Sequence, residues 1–244
     1  METNILLENL YKSKWEEISD TLLSFNEEEP EDTENLATHP LLIKIDEEYE
    51  KADLKIMFFG QETNLWCGEF NQGIFGYDIE IEDILGIYQD FYLNKGYESY
   101  GKPFWNYIKK LKSHSSINDL QKIGFVWNNV LKIGKVEVGK PQQGLLNKTL
   151  EHFDIIPQEI EILKPNVLLF FCGHGYDNFI RERVGDFSVE SIGKFDVREL
   201  CKLTFIKTPV KFALRTYHPG YLQRLPEEKR NNIFNAIINI LKEK

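Results

Sequence analysis

The sequence predicts an α/β fold, a three-layer αβα sandwich around a central, mostly parallel four-stranded sheet. Three observations carry this expectation. Four short apolar runs, at 53–59, 124–127, 167–171 and 212–216, have strand length and break into glycine or polar residues. Stretches with apolar residues at helical spacing separate them. Strands that alternate with helices favour parallel pairing, with the helices covering both faces of the sheet.

Taken in order, residues 5–25 read as a helix, with Leu6, Leu10, Ile18, Leu22 and Phe25 at roughly helical spacing. The acidic run from Glu27 to Glu34, with Pro30 inside it, reads as a solvated loop. The first strand runs from Asp53 to Phe59 and stops at Gly60. Residues 80–94 and 103–112 are helical, and Pro103 suits a first helical turn, where its missing N–H costs nothing. A short strand from Gly124 to Trp127 ends at the pair Asn128–Asn129. Leu145 to Leu163 is a helical stretch interrupted by Pro157. Val167–Phe171 is the clearest buried strand, ended by Gly173-His174-Gly175, and a helix follows from about Asp177 to Arg183. Residues 185–208 form a hairpin-like excursion, Phe212–Thr216 is the last strand, and Glu227–Lys242 is a closing amphipathic helix.

Length and composition set the outer bounds. With 244 residues, 42% hydrophobic and 28% charged, the chain suits one α/β domain over 51–244, preceded by a helical, acidic extension over 1–50. No apolar stretch nears the ~20 residues that span a bilayer. Met1 to Asn9 carries two glutamates and no basic segment, which argues against a secretory signal. Cys67, Cys172 and Cys201 lie far apart, fitting neither a disulfide framework nor a metal site, so reduced thiols and a cytoplasmic location are expected.

The net charge of −10 counts against nucleic-acid binding, because phosphate contacts favour a basic footprint. Much of the acid is local, however, clustered over 27–34 and 46–50. Lys109, Lys110 and Lys112, or Arg224, Lys229 and Arg230, can leave one positive face on an acidic protein.

The chemistry-bearing residues gather at the strand ends, where open α/β sheets bind ligands. Gly60-Gln61-Glu62 follows the first strand, Asn128-Asn129 the second, and His218-Pro219-Gly220-Tyr221-Leu222 the last. A carboxylate and an imidazole placed together can act as base and electrophile. Each residue also has a plainer reading: Glu62 as a helix cap, His218 as a turn residue, the asparagines as strand terminators and Leu222 as core.

In the order and context of these motifs the chain resembles the uracil-DNA glycosylase superfamily over about residues 54–240. That family has Gly-Gln-Asp-Pro-Tyr after its first strand, Leu-Leu-Asn on its second and His-Pro-Ser-Pro-Leu after its last. Here the counterparts are Gly60-Gln61-Glu62-Thr63-Asn64, Val126-Trp127-Asn128-Asn129 and His218-Pro219-Gly220-Tyr221-Leu222. The resemblance implies a glycosylase that cleaves the N-glycosidic bond of a deaminated or modified, uracil-like base in DNA. It makes Glu62 and His218 the catalytic pair, Asn128 the base reader and Leu222 the wedge that fills the vacated stack. Backbone at Gly60 and Gln61 then contacts the base. The stacking ring is Phe75, with Trp66 and Phe70 in competition. DNA is the implied partner, and neither metal nor organic cofactor is implied.

The departures from the pattern keep a second reading open: a catalytically weak or inactive protein that retains the fold and binds a base, nucleotide or nucleic acid. Glu62 is one methylene longer than aspartate. Asn64 replaces a tyrosine that crowds a 5-methyl group, which widens the range of bases admitted. Tyr221 replaces the second proline and changes the stiffness of the wedge loop. An unrelated α/β enzyme has no support, since the chain carries no GxSxG elbow, Walker A loop or GxGxxG segment.

Overall fold

The computed structural model describes residues 1–28, 33–72, 79–114, 122–210 and 212–244. The heart of the acidic loop and the expected stacking residue Phe75 lie outside them. Six strands form one mixed sheet: β1 (Leu54–Asn64), β2 (Ile123–Lys135), β3 (Val167–Phe171), β4 (Phe187–Ser191), β5 (Leu200–Phe205) and β6 (Phe212–Thr216). Their order is β2-β1-β3-β6-β5-β4. The first four in that order are parallel, and β5 and β4 extend them antiparallel.

The expected four-stranded sheet is thus the parallel part of a larger one. The hairpin over 185–208 does not stand off the domain: Leu200 to Leu203 pairs with Thr216 to Ala213 and carries the sheet two strands further. Two strand lengths also differ from expectation. β1 does not stop at Gly60, and β2 does not stop at the asparagine pair. They pair with each other through Gly60↔Asn129 and Glu62↔Leu131, until the register shifts between Glu62 and Asn64. Mutual backbone pairing overrides the low strand propensity of Gly60, Asn128 and Asn129.

Helices cover both faces. On one side lie α3 (Ile81–Tyr88), running on as a π-helical turn over Gln89–Leu93, and α4 (Pro103–Lys112). Here Trp127 packs edge-on against Trp105 at 4.9 Å, and Phe58 meets Phe104 at 6.3 Å. On the opposite side lie α1 (Glu2–Glu28), α5 (Gln143–His152) and α6 (Ile156–Leu163). The break between α5 and α6 follows the sequence, with Pro157 in the first turn of the second helix. α7 (Asp177–Arg183), α8 (Pro219–Leu222) and α9 (Glu227–Lys242) complete the chain, after the single helical turn Glu47–Glu50, which is α2.

The N-terminal 50 residues pack into the same core. α1 buries Leu7, Tyr11, Ile18, Leu22 and Phe25, and residues 36–43 are buried throughout. This segment also covers the sheet edge. β2 is an outer strand, and its free carbonyls are met by Leu41 N–H on Lys132 (2.7 Å) and Thr38 N–H on Gly134 (3.2 Å). The Tyr88 and Tyr92 hydroxyls donate to the carbonyls of Trp127 (2.9 Å) and Phe125 (3.0 Å). An edge strand left bare invites pairing with another chain, and here its acceptors are used internally.

Among the described residues no helix is long and apolar enough to cross a membrane. The three cysteines are free and buried.

Candidate active site

The chain leaves β1 toward β2 on one side, while β3 lies on the other, so a topological switch point falls beside the end of β1. Ligands of open α/β sheets bind at such crevices. β3 pairs with β1 only as far as Phe59↔Phe170, and the next β1 residues project past its end. Gln61 spans the opening, its Nε2 donating to the Cys172 carbonyl at 2.9 Å.

Gly60 is required by what packs on it. A Cβ there would sit 2.4 Å from Asn129 Oδ1 and 3.3 Å from the Phe104 ring. The absent side chain therefore lets an amide and an aromatic edge meet the backbone directly. Asn129 is buried, and its Oδ1 accepts the Trp127 indole N–H at 3.2 Å. That bond fixes the amide with its Nδ2 donor uncommitted among the described residues.

Phe104 joins the first motif to the last. Its ring stacks on the His218 imidazole, with centroids 5.6 Å apart and planes 13° from parallel. His218 precedes Pro219, and its Nδ1 accepts the Gly220 N–H at 3.1 Å. A neutral ring held this way carries its proton on Nε2. Burial pulls the histidine from 6.5 down to about 4, so it is neutral at physiological pH. The backbone that delivers it is clamped by Arg215. This buried guanidinium pairs with Asp177 at 3.0 Å and donates to the Val197 carbonyl at 2.9 Å.

Glu62 shares a face of β1 with Gly60 by strand alternation. Its Oε2 accepts the Tyr176 hydroxyl. Burial raises the carboxyl above its ordinary value, opposed by the Tyr176 hydrogen bond and by the charge of Lys140. A desolvated carboxylate, a neutral imidazole donor and an amide donor can together stabilise a cation on one side of a breaking bond and an anion on the other.

A model of the uracil DNA glycosylase superfamily matches residues 47–242. The chain belongs to that superfamily. No curated protein matches it. Membership accounts for the parallel core and the order of the motifs.

Two expected site residues, Asn128 and Leu222, stand elsewhere than superfamily motif order implies. Asn128 points away from Gly60. Its Nδ2 donates to Glu159 Oε2 at 2.8 Å, and its Oδ1 accepts from Lys132 Nζ at 2.9 Å, both on the opposite face of the sheet. Its neighbour Asn129 occupies the site side. Leu222, expected as a wedge, is 2% exposed because the short helix α8 turns it inward. Tyr221 is the outward residue of that turn, 46% exposed, with its ring 4.6 Å from Tyr217. Asn64 lies exposed at the end of β1.

The competitors for stacking are both core. Trp66 packs on Trp127 at 5.4 Å, and Phe70 packs against His39 at 5.0 Å. His39 is itself structural: its ring bridges the Gly68 carbonyl and the Asn71 N–H. The sequence did not distinguish Asn129 from Asn128, and it did not single out Phe104 or Tyr176. Phe104 had a signal, as the first aromatic after a helix-starting proline. Tyr176 had only its place directly after Gly173-His174-Gly175. Among the described residues no group of three or more His, Cys, Asp or Glu is placed to hold a metal ion.

Proposed function

We propose that the chain is a monofunctional hydrolase that cleaves the N-glycosidic bond of a deaminated or modified base in DNA. The single observation that carries this reading is how His218 is held, by the Gly220 N–H on its Nδ1 and by the Phe104 ring. The imidazole is neutral, its Nδ1 is occupied, and its Nε2–H is available at the end of β6 beside Phe104. Such a donor stabilises a base leaving as an anion without first giving up a proton.

In the reaction, water attacks C1′ as the C1′–N bond breaks. The electron pair of that bond leaves with the base, whose carbonyl oxygen accepts a hydrogen bond from His218 Nε2. Glu62 faces the sugar, stabilises its developing positive charge and directs the water, taking up the proton that the free base ultimately regains. Asn129 Nδ2 donates to a second carbonyl on the base. An edge that presents carbonyl oxygen there suits uracil, hypoxanthine or xanthine and disfavours cytosine and adenine, whose exocyclic amine would oppose donor with donor. Phe104 offers the extruded base an aromatic face, and the exposed Tyr221 fills the gap in the stack in this reading. Exposed Lys102, Lys140 and Arg224 adjoin Phe104, Glu62 and α8, and supply cations for phosphates on a chain of net charge −10.

The test is strand cleavage of end-labelled oligonucleotides that carry single uracil, hypoxanthine, xanthine or 5-substituted uracil residues, followed by alkali. Cleavage that vanishes in Glu62→Gln and His218→Ala is the expected result. A folded protein that cleaves none of them would leave the second reading, a base- or nucleic-acid-binding protein of this fold. The raised carboxyl of Glu62, which favours the protonated form, is the observation behind that second reading.

A further inference from the structure

Glutamate at position 62 places a longer, freer side chain where the superfamily pattern has aspartate. Fixing such a chain costs more rotamer entropy than fixing the shorter one. A misplacement of one ångström can cost roughly 100-fold in rate. A glutamate here needs something to hold it.

Tyr176 is built to do so. It lies in the turn His174–Tyr176 that follows β3, and its backbone N–H donates to the Gly173 carbonyl at 3.1 Å. Its ring is buried and packs 5.4 Å from Phe179 of α7. Phe179 in turn carries the Lys140 ammonium 5.1 Å from its ring centre, and Lys140 acts electrostatically on Glu62. The hydroxyl ends on Glu62 Oε2, bridging 114 residues of sequence. Among the described residues no other hydrogen bond reaches this carboxylate. One oxygen is therefore anchored and the other is left to face the substrate.

We propose that Tyr176 is the positioning residue for Glu62, and that its hydroxyl compensates for the extra methylene by fixing where the carboxylate stands. This rests on the reading of Glu62 as the carboxylate that faces the sugar. A tyrosine hydroxyl also stabilises the ionised form by donating to it, so the same bond keeps Glu62 available as a base. Shortening Glu62 to aspartate withdraws the carboxylate from the hydroxyl, so the substitution that restores the superfamily residue does not restore the geometry.

The experiment is a 13C NMR titration of the Glu62 carboxyl in the full chain, in wild type, Tyr176→Phe and Lys140→Gln, with excision kinetics beside it. In Tyr176→Phe the Glu62 midpoint moves up, the acid limb of the rate profile moves with it, and kcat falls about 10–100-fold while KM holds. Lys140 is exposed, so Lys140→Gln keeps the fold intact and moves the midpoint the same way by less. A Glu62 midpoint unmoved in both folded variants overturns the proposal, as does a kcat unchanged in Tyr176→Phe. Midpoints that shift in the variants while the wild type shows no excision activity support the pairing and remove the glycosylase reading alone.

Discussion

The two faces of the β1–β2 pair carry equally polar residues with opposite fates. On one face, Asn128, Lys132, Glu159 and Tyr11 form a closed network. Lys132 Nζ reaches Glu159 Oε1 at 2.7 Å, the Tyr11 hydroxyl reaches the same oxygen at 2.9 Å, and Asn128 bonds both Glu159 and Lys132. Burial lowers the Lys132 ammonium from its usual value, and the Glu159 carboxylate holds it up. Toward the other face, Glu62 and Asn129, with His218 from the end of β6, each make one side-chain hydrogen bond among the described residues and keep one donor or acceptor for use. Buried polar groups that satisfy one another specify structure, whereas groups held but not saturated are equipped for a ligand.

The comparison breaks most readily at the closed network. Glu159→Ala strands a buried ammonium and should destabilise the protein by about 3–5 kcal/mol, read in denaturant titration, without altering excision by the molecules that remain folded. On the open face, His218→Ala should lower kcat by roughly 10²–10³-fold, the scale of a lost oxyanion donor.

Protonation sharpens the contrast. The folded-state value of His218, about 4, lies below its usual 6.5, so its contribution to stability is complete above pH 6.5 and is lost as the pH falls toward 4. The full effect is on the order of 3 kcal/mol by linkage. His218→Gln should flatten the stability curve over that window, and a curve of unchanged slope would contradict the assignment. Glu62 has the opposite sign. Its raised carboxyl favours the protonated form, so its stabilisation is present at low pH and is lost as the pH rises through the raised value. Glu62→Gln should therefore melt slightly higher than wild type at neutral pH while excising nothing, a small effect that calorimetry can read. Tyr221→Ala should have the mildest consequence, weakening duplex binding more than single-strand binding because only a duplex has a stack to fill.

Much of this was legible in the sequence, for reasons that differ by element. β3 is a continuous apolar run flanked by parallel strands, and such a strand announces itself; β6 starts the same way with Phe212-Ala213-Leu214 before Arg215 and Thr216. β1 and β2 continue through Gln61, Glu62, Asn128 and Asn129, residues that read as loop until their partner strand is known. The choice between Asn128 and Asn129 was not available at all, since two identical side chains on adjacent positions point to opposite faces and only register decides. Leu222 follows the superfamily pattern by position, but the helical turn beginning at Pro219 sends it inward and Tyr221 outward. Tyr176 meets Glu62 across the sheet ends, a contact that no local pattern encodes.

The most direct test of the account is a paired measurement on those adjacent asparagines. Single-turnover excision and thermal stability would be recorded for Asn128→Ala and Asn129→Ala, using the base that the oligonucleotide panel identifies. The account predicts that Asn129→Ala loses excision even while folded, and that Asn128→Ala melts earlier but excises normally while folded. Excision abolished in folded Asn128→Ala and preserved in Asn129→Ala would contradict it.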